Sequence, residues 1–172
     1  MVYLLMFSVL LFPAQRPVSG SLPEFAVPQG WTVALGGIDL VVDHSSGASL
    51  RVIHRTTDNL QSFAQLAVER LANPLGFAHI GMPEHFNNGS EEWFQYDIRG
   101  NRIAEHRRIL YRAIRNPNDP AGVIEITYEN AENRFDVLLT EAQLIASQFL
   151  TQSRNFAFRF QMPLSSHENT GK

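Results

Sequence analysis

From Trp31 the chain reads as strands. "WTVAL" and "IDLVVD" are β-rich, and Gly36-Gly37 between them is a two-residue hairpin signal. Pro28 and Gly30 precede the first of these, so the strand is expected to begin at about Trp31. "HSSG" makes the next turn. "ASLRVIHR" then alternates, with Leu50, Val52 and His54 on one face and Arg51, Ile53 and Arg55 on the other.

The period then changes from two to 3.6. Leu60, Phe63, Ala64, Ala67 and Leu71 form one apolar helical stripe. Asp58 followed three residues later by Gln61 resembles a capping box, and Pro74 and Gly76 end the helix. Strand signals resume in "FAHIGMPEHF", where Pro83 predicts a bulge or an edge position. Asn87-Asn88-Gly89-Ser90 predicts a type I′ hairpin into "EWFQYDI", and Arg99-Gly100-Asn101 predicts the turn into "RIAEHRRILYRAIRN". After the proline-flanked loop "NPNDPAG" comes a last clear strand, "VIEITYE". A second helix starts within residues 132–138, with Phe135, Leu138, Leu139, Ala142, Ile145 and Phe149 as its buried stripe. The order β-β-β-α-β-β-β-β-α, with short links between strands, predicts an α+β fold. It is a mostly antiparallel sheet of about six to seven strands covered by two amphipathic helices, an α/β/α sandwich.

The two ends read differently. "MVYLLMFSVLLFPAQRPVSG" is apolar from Val2 to Phe12 except for Ser8, about half of the ~20 residues that a membrane-spanning helix needs. With Val18, Ser19 and Gly20 as a small-residue cleavage site, residues 1–20 read as a signal peptide, although no basic residue precedes the apolar run. That makes the protein periplasmic or secreted, with a cytoplasmic location as the alternative, and leaves no stable membrane span once the signal is removed. Residues 21–152 form the domain and 153–172 a tail. In the tail Phe156, Phe158 and Phe160 alternate as one more short strand, which docks on the parent sheet or offers its edge to a partner; disorder is expected from Pro163 onward.

Several segments taken in order carry a resemblance. They are the Phe25-Pro28-Gly30-Trp31 opening, the Leu- and Phe-rich helix, the Trp93-Phe94-Tyr96 strand, "RRILYRAI", "ITYEN" and the closing "IASQF". Over about residues 25–150 the chain resembles the PsbP/Mog-like superfamily. That family includes extrinsic photosystem subunits, a Ran-binding nuclear protein, bacterial domains of unknown function and chaperones of secreted effectors. The resemblance implies the same α/β/α sandwich, and binding or assembly in place of catalysis. None of the family's metal or docking residues can be matched to this sequence.

Composition narrows the chemistry. The net charge of −3 gives no reason to expect nucleic acid or an anionic membrane as partner. With no cysteine there is no disulfide, thiolate metal site or cysteine nucleophile. All basic residues but Lys172 are arginines. None of the histidines stands in a His-x-x-x-His spacing, so neither metal nor cofactor is expected. No nucleophile–base pair and no Gly-x-Ser-x-Gly is present. Asn88-Gly89-Ser90 matches a glycosylation sequon, but a hairpin turn explains it.

Residues 91–116 hold six arginines. Strand alternation sets Arg108, Leu110, Arg112 and Ile114 against Ile109, Tyr111 and Ala113, and the next strand sets Glu125, Thr127 and Glu129 against Ile124, Ile126 and Tyr128. Cross-strand pairing of the basic and acidic sets predicts a charge-matched, solvated face. The functional alternative is a patch that grips a carboxylate or phosphate on a protein partner, with Arg102, Arg108, Arg112 and the three tail phenylalanines as its candidate residues. The expectation is thus a non-enzymatic extracytoplasmic protein-binding or assembly domain. The alternatives are a cytoplasmic chaperone of secretion effectors with the same fold, or a small hydrolase or metal-dependent enzyme.

Overall fold

The computed structural model describes residues 27–35, 39–116 and 119–152. The signal-like segment, the Gly36-Gly37 turn and the tail with Phe156, Phe158 and Phe160 lie outside them. Among the described residues eight strands form one sheet: β1 (Trp31–Leu35), β2 (Leu40–His44), β3 (Ser49–Thr56), β4 (Gly76–Ile80), β5 (Glu84–Asn87), β6 (Glu92–Arg102), β7 (Glu105–Arg115) and β8 (Gly122–Ala131). Helix α1 (Leu60–Ala72) follows β3, and α2 (Phe135–Gln152) follows β8 through a 3-10 turn at Glu132–Arg134. The spatial order is β1-β2-β3-β8-β7-β6-β4, with β5 also paired to β6 and every pairing antiparallel.

Both faces of the sheet carry a core, because both strand faces of β7 are apolar. Ile109, Tyr111 and Ala113 meet Phe94, Tyr96 and Ile98 of β6 beneath Leu60, Ala64, Ala67 and Val68 of α1. Leu110 and Ile114 join Leu50, Val52, Ile124 and Ile126 beneath Phe135, Leu139, Ala142 and Ile145 of α2. The helices therefore lie on opposite sides, α1 over β6 and β7, α2 over β3 and β8. No helix of the described residues is long and apolar enough to cross a membrane.

The family-like motifs hold these layers together. Trp31 is buried and its Nε1 donates to Glu141 Oε2 at 2.7 Å, tying β1 to α2. Gly30 has φ +90°, and a Cβ there would lie 2.3 Å from His44 Nε2. In "ITYEN", the Tyr128 hydroxyl donates to Phe135 O, and Asn130 Nδ2 donates to Arg134 O, so both side chains fasten the turn that starts α2.

Local signals went astray in several places. Asn59, not Asp58, caps α1, its side chain accepting from Ser62 N. "FAHIGMPEHF" is two short strands, since Pro83 has no N–H for the ladder and Gly81-Met82-Pro83 steps between them. Of Asn88 and Gly89 only Gly89 has positive φ, so the turn is not type I′; Asn88 Oδ1 instead accepts from the backbone of Ser90 and Glu91.

Arg99-Gly100-Asn101 is not a turn but lies inside β6. The hairpin falls at Ile103-Ala104, with φ of 50° and 61°. That left-handed conformation costs a residue with a Cβ roughly 1–2 kcal/mol. Gly100 is needed for another reason: the link from α1 to β4 crosses it, and a Cβ would stand 2.8 Å from Leu75 Cβ and 3.2 Å from Gly76 O. Gly100→Ala is expected to destabilise the fold by about 2 kcal/mol. A urea midpoint equal to wild type would show that this crossing is not tight.

Candidate functional site

The staggered helices leave half of one sheet face bare. On α1's side, β3 presents Ser49, Arg51, Ile53 and Arg55, and β8 presents Glu125, Thr127 and Glu129 in register with them: Ser49 opposite Glu129, Arg51 opposite Thr127, Ile53 opposite Glu125. The last turn of α1 supplies one wall with Arg70 and Leu71, continued by Pro74, and Arg102 at the end of β6 closes one end. The resulting groove holds about 420 Å³.

Its acids are already neutralised. Glu125 is buried, with Arg70 Nη2 at 2.9 Å and Arg55 Nε at 3.6 Å. Glu129 Oε1 accepts from Arg102 Nη1 at 2.8 Å and from Arg107 Nε at 3.1 Å. Burial, and then the charge of Glu125, push the Tyr111 hydroxyl above its ordinary pKa, so it stays protonated beneath the floor. Between the two clusters stands Arg51. Among the described residues it is the one arginine with neither an ion pair nor a hydrogen bond, and it is exposed. Four arginines and two glutamates line the groove, an excess of two positive charges in a chain of net charge −3.

The candidate residues do not converge. Arg102 rims this groove. Arg108 and Arg112 point to the opposite face, toward α2, and the predicted pairing with Glu125 and Glu129 fails. The register sets Arg108 opposite Asn130 and Arg112 opposite Ile126, while the glutamates stand opposite Ala113 and Ile109. The face that carries Arg112 is not solvated either: Arg112 is 1 % exposed. Its Nε donates to Gln95 Oε1 at 2.9 Å, Nη2 donates to the same oxygen, and the guanidinium lies 4.4 Å from the Trp93 ring centroid. Burial pushes its pKa down to about 10, so it stays charged at neutral pH.

Arg108 is also engaged within the fold. Its Nε and Nη2 donate to the Asp97 carboxylate at 3.0 and 2.8 Å, Nη1 reaches Asp136 at 3.4 Å, and its Cζ lies 4.4 Å from the Phe135 ring centroid. Arg99, directly across the ladder from Arg108, shares Asp97. Burial works to raise the Asp97 carboxyl, but the hydrogen bonds and charges of Arg108 and Arg99 outweigh it and hold the pKa below its ordinary value. A depressed carboxyl stabilises the fold above its unfolded pKa near 3.9 and loses that contribution as pH falls through the folded value. Asp97→Asn, which leaves two arginines facing each other, is expected to cost about 2 kcal/mol at pH 6. In urea titrations the gap from wild type should narrow as pH falls below the unfolded carboxyl pKa near 3.9 and close once the folded Asp97 is itself protonated. A gap that persisted there would assign the loss to packing.

The residues that the sequence reading passed over are Arg51, Arg55, Arg70, Glu125 and Glu129 as one constellation. The signal was half visible, because Arg51 and Arg55 stand four residues apart on one strand face, with Ile53 between them.

No protein-family model matches the chain, and no curated protein does. Solved structures do. The chain is similar to the cyanobacterial PsbP of Synechocystis sp. PCC 6803, at 18 % identity over 70 % of this chain and 81 % of that one, with a TM-score of 0.45. It is also similar to the Ran-binding protein Mog1p of Saccharomyces cerevisiae, at 15 % identity over 75 % of this chain and 86 % of that one, TM-score 0.46. A Pseudomonas aeruginosa protein of unknown function matches at 17 % identity over 59 % and 69 %, TM-score 0.42. In fold, the chain is similar to PsbP and to Mog1p. What its groove can do follows from the groove's own chemistry.

Proposed function

We propose that the chain is an exported protein-binding domain without a catalytic role, and that the groove beside α1 takes an acidic segment of a partner protein. The observation that carries this reading is Arg51: an exposed guanidinium with its donors uncommitted, between two pairs of arginines whose glutamates are already satisfied. A planar fork with several N–H groups suits a carboxylate in two-point contact. The groove's carboxylates are committed to arginines and no histidine lines it, which fits recognition better than acid–base chemistry. A nucleic-acid partner would meet a net charge of −3, whereas a short acidic peptide meets only the local excess of positive charge. The export part of the reading rests on the apolar run Val2–Phe12.

A fluorescein-labelled hexaglutamate peptide tests the groove by anisotropy titration. Binding is expected, weakening several-fold between about 50 and 500 mM salt, as screening of partly exposed charges demands. Absence of binding, or binding indifferent to salt, would reject the reading. Mass spectrometry of the mature protein tests signal cleavage: an N-terminus near residue 21 is expected, and a chain that keeps residues 1–20 would reject it.

A further inference from the structure

We infer that the partner segment is amphipathic along its length, with carboxylates over Arg51 and a bulky apolar side chain against Phe77 and Ile103 at the Arg102 end of the groove. This rests on the acidic-segment reading above and adds what else the segment must carry.

Phe77 and Ile103 are 95 % and 96 % exposed, and both hold positive φ, 51° and 50°. Glycine or asparagine would relax either position, and a hairpin tip such as Ile103-Ala104 ordinarily selects them. Neither side chain contributes to a core, so folding gives no reason to keep a phenyl and a branched aliphatic group in strained, solvated places.

The two sites lie at one end of the sheet. Gly76 pairs with Asn101, Phe77 follows Gly76, and Ile103 stands two residues beyond Asn101. Pro74 and Arg102, which line the groove, neighbour these same segments. Glu125 and Glu129, each held by arginines, are four residues apart on β8, or roughly 13 Å. The groove thus spans about four residues of extended chain, with the unpaired Arg51 midway, and at one end its lining residues Pro74 and Arg102 lead along the chain to the exposed Phe77 and Ile103. Charge complementarity fixes the acidic part of the occupant, and the exposed pair fixes the apolar end.

Three labelled peptides separate the two ideas: Glu-Glu-Glu-Glu-Gly-Leu-Leu, its reverse Leu-Leu-Gly-Glu-Glu-Glu-Glu, and Glu-Glu-Glu-Glu-Gly-Gly-Gly. On the wild-type protein one of the leucine-ended peptides is expected to bind at least fivefold more tightly than the glycine-ended one. The double variant Phe77→Gly with Ile103→Gly is expected to lose that advantage, to bind the glycine-ended peptide as wild type does, and to melt no lower, since glycine accepts positive φ. The pair Phe77→Asn with Ile103→Asn serves equally, because asparagine also tolerates that backbone. Equal affinity for all three peptides, or an advantage that survives in the variants, overturns the inference and leaves the acidic-segment reading standing. Failure of every peptide to bind wild type overturns both.

Discussion

Arg112→Ala is expected to lower the folding free energy by about 3–4 kcal/mol, the largest single-residue effect foreseen for this domain. Arg112 is among the largest fully buried side chains, and together with Leu110, Ile126 and Tyr128 it lines the space beneath α2. Truncation removes that packing, the stacking on Trp93, and both donors to Gln95 Oε1, leaving a 3 %-exposed amide without its cation. The charge itself is a different matter, since a buried ion is costly to desolvate and an apolar residue of similar volume often does as well. Arg112→Met should therefore lose less, about 1–2 kcal/mol, mostly from the orphaned Gln95. Adding Gln95→Leu should recover part of the remainder, because the orphaned Gln95 Oε1 is then gone, although Glu84 Oε2 loses the donor it takes from Gln95 Nε2 at 3.2 Å. Urea denaturation of the four proteins decides the matter. If Arg112→Ala unfolded within about 1 kcal/mol of wild type, the buried cation would be incidental to the fold.

The same arginine shows what could be read from the sequence. Alternation placed Arg108, Leu110, Arg112 and Ile114 together, and that is how β7 stands. Two apolar neighbours on that face pointed to burial, whereas the count of charges pointed to solvent; the apolar neighbours prevailed because α2 covers them. Helical stripes and strand periods are set by residues a few positions apart, so α1, α2 and β3 were legible. Turns depend on one or two residues, and there the signals competed. Gly100 signals a turn and a close approach equally well, and only the passage of Leu75 and Gly76 over it decides for the second. Ile103-Ala104 carries no turn signal at all.

The groove was illegible for a further reason. It joins Arg51 and Arg55 of β3 to Glu125 and Glu129 of β8, about 70 residues later in the chain, and closes on Arg70 of α1. Nothing local tells a strand which distant strand it will pair with; that follows from burying both cores at once. Once β3 lies beside β8, the polar face of each strand is forced onto the side that α1 leaves bare. The acids and bases that seemed scattered then meet, with Arg51 left over.

That surplus leads to the second large effect. Arg51→Glu is expected to weaken binding of hexaglutamate about 100-fold at low salt while moving stability by less than about 0.5 kcal/mol. The two outcomes separate because Arg51 is exposed and has no partner among the described residues to lose, whereas its replacement reverses the charge at the groove's centre. Arg51→Gln should lose about tenfold, the value of one charge-assisted contact. Arg51→Lys should fall between wild type and Gln, since a lysine keeps the charge but not the two-point fork. Rising salt should compress the differences among the variants, leaving Lys and Arg apart longest because geometry is not screened. An Arg51→Glu protein that bound the peptide like wild type would remove the groove as the recognition surface, however well the rest of the fold behaved.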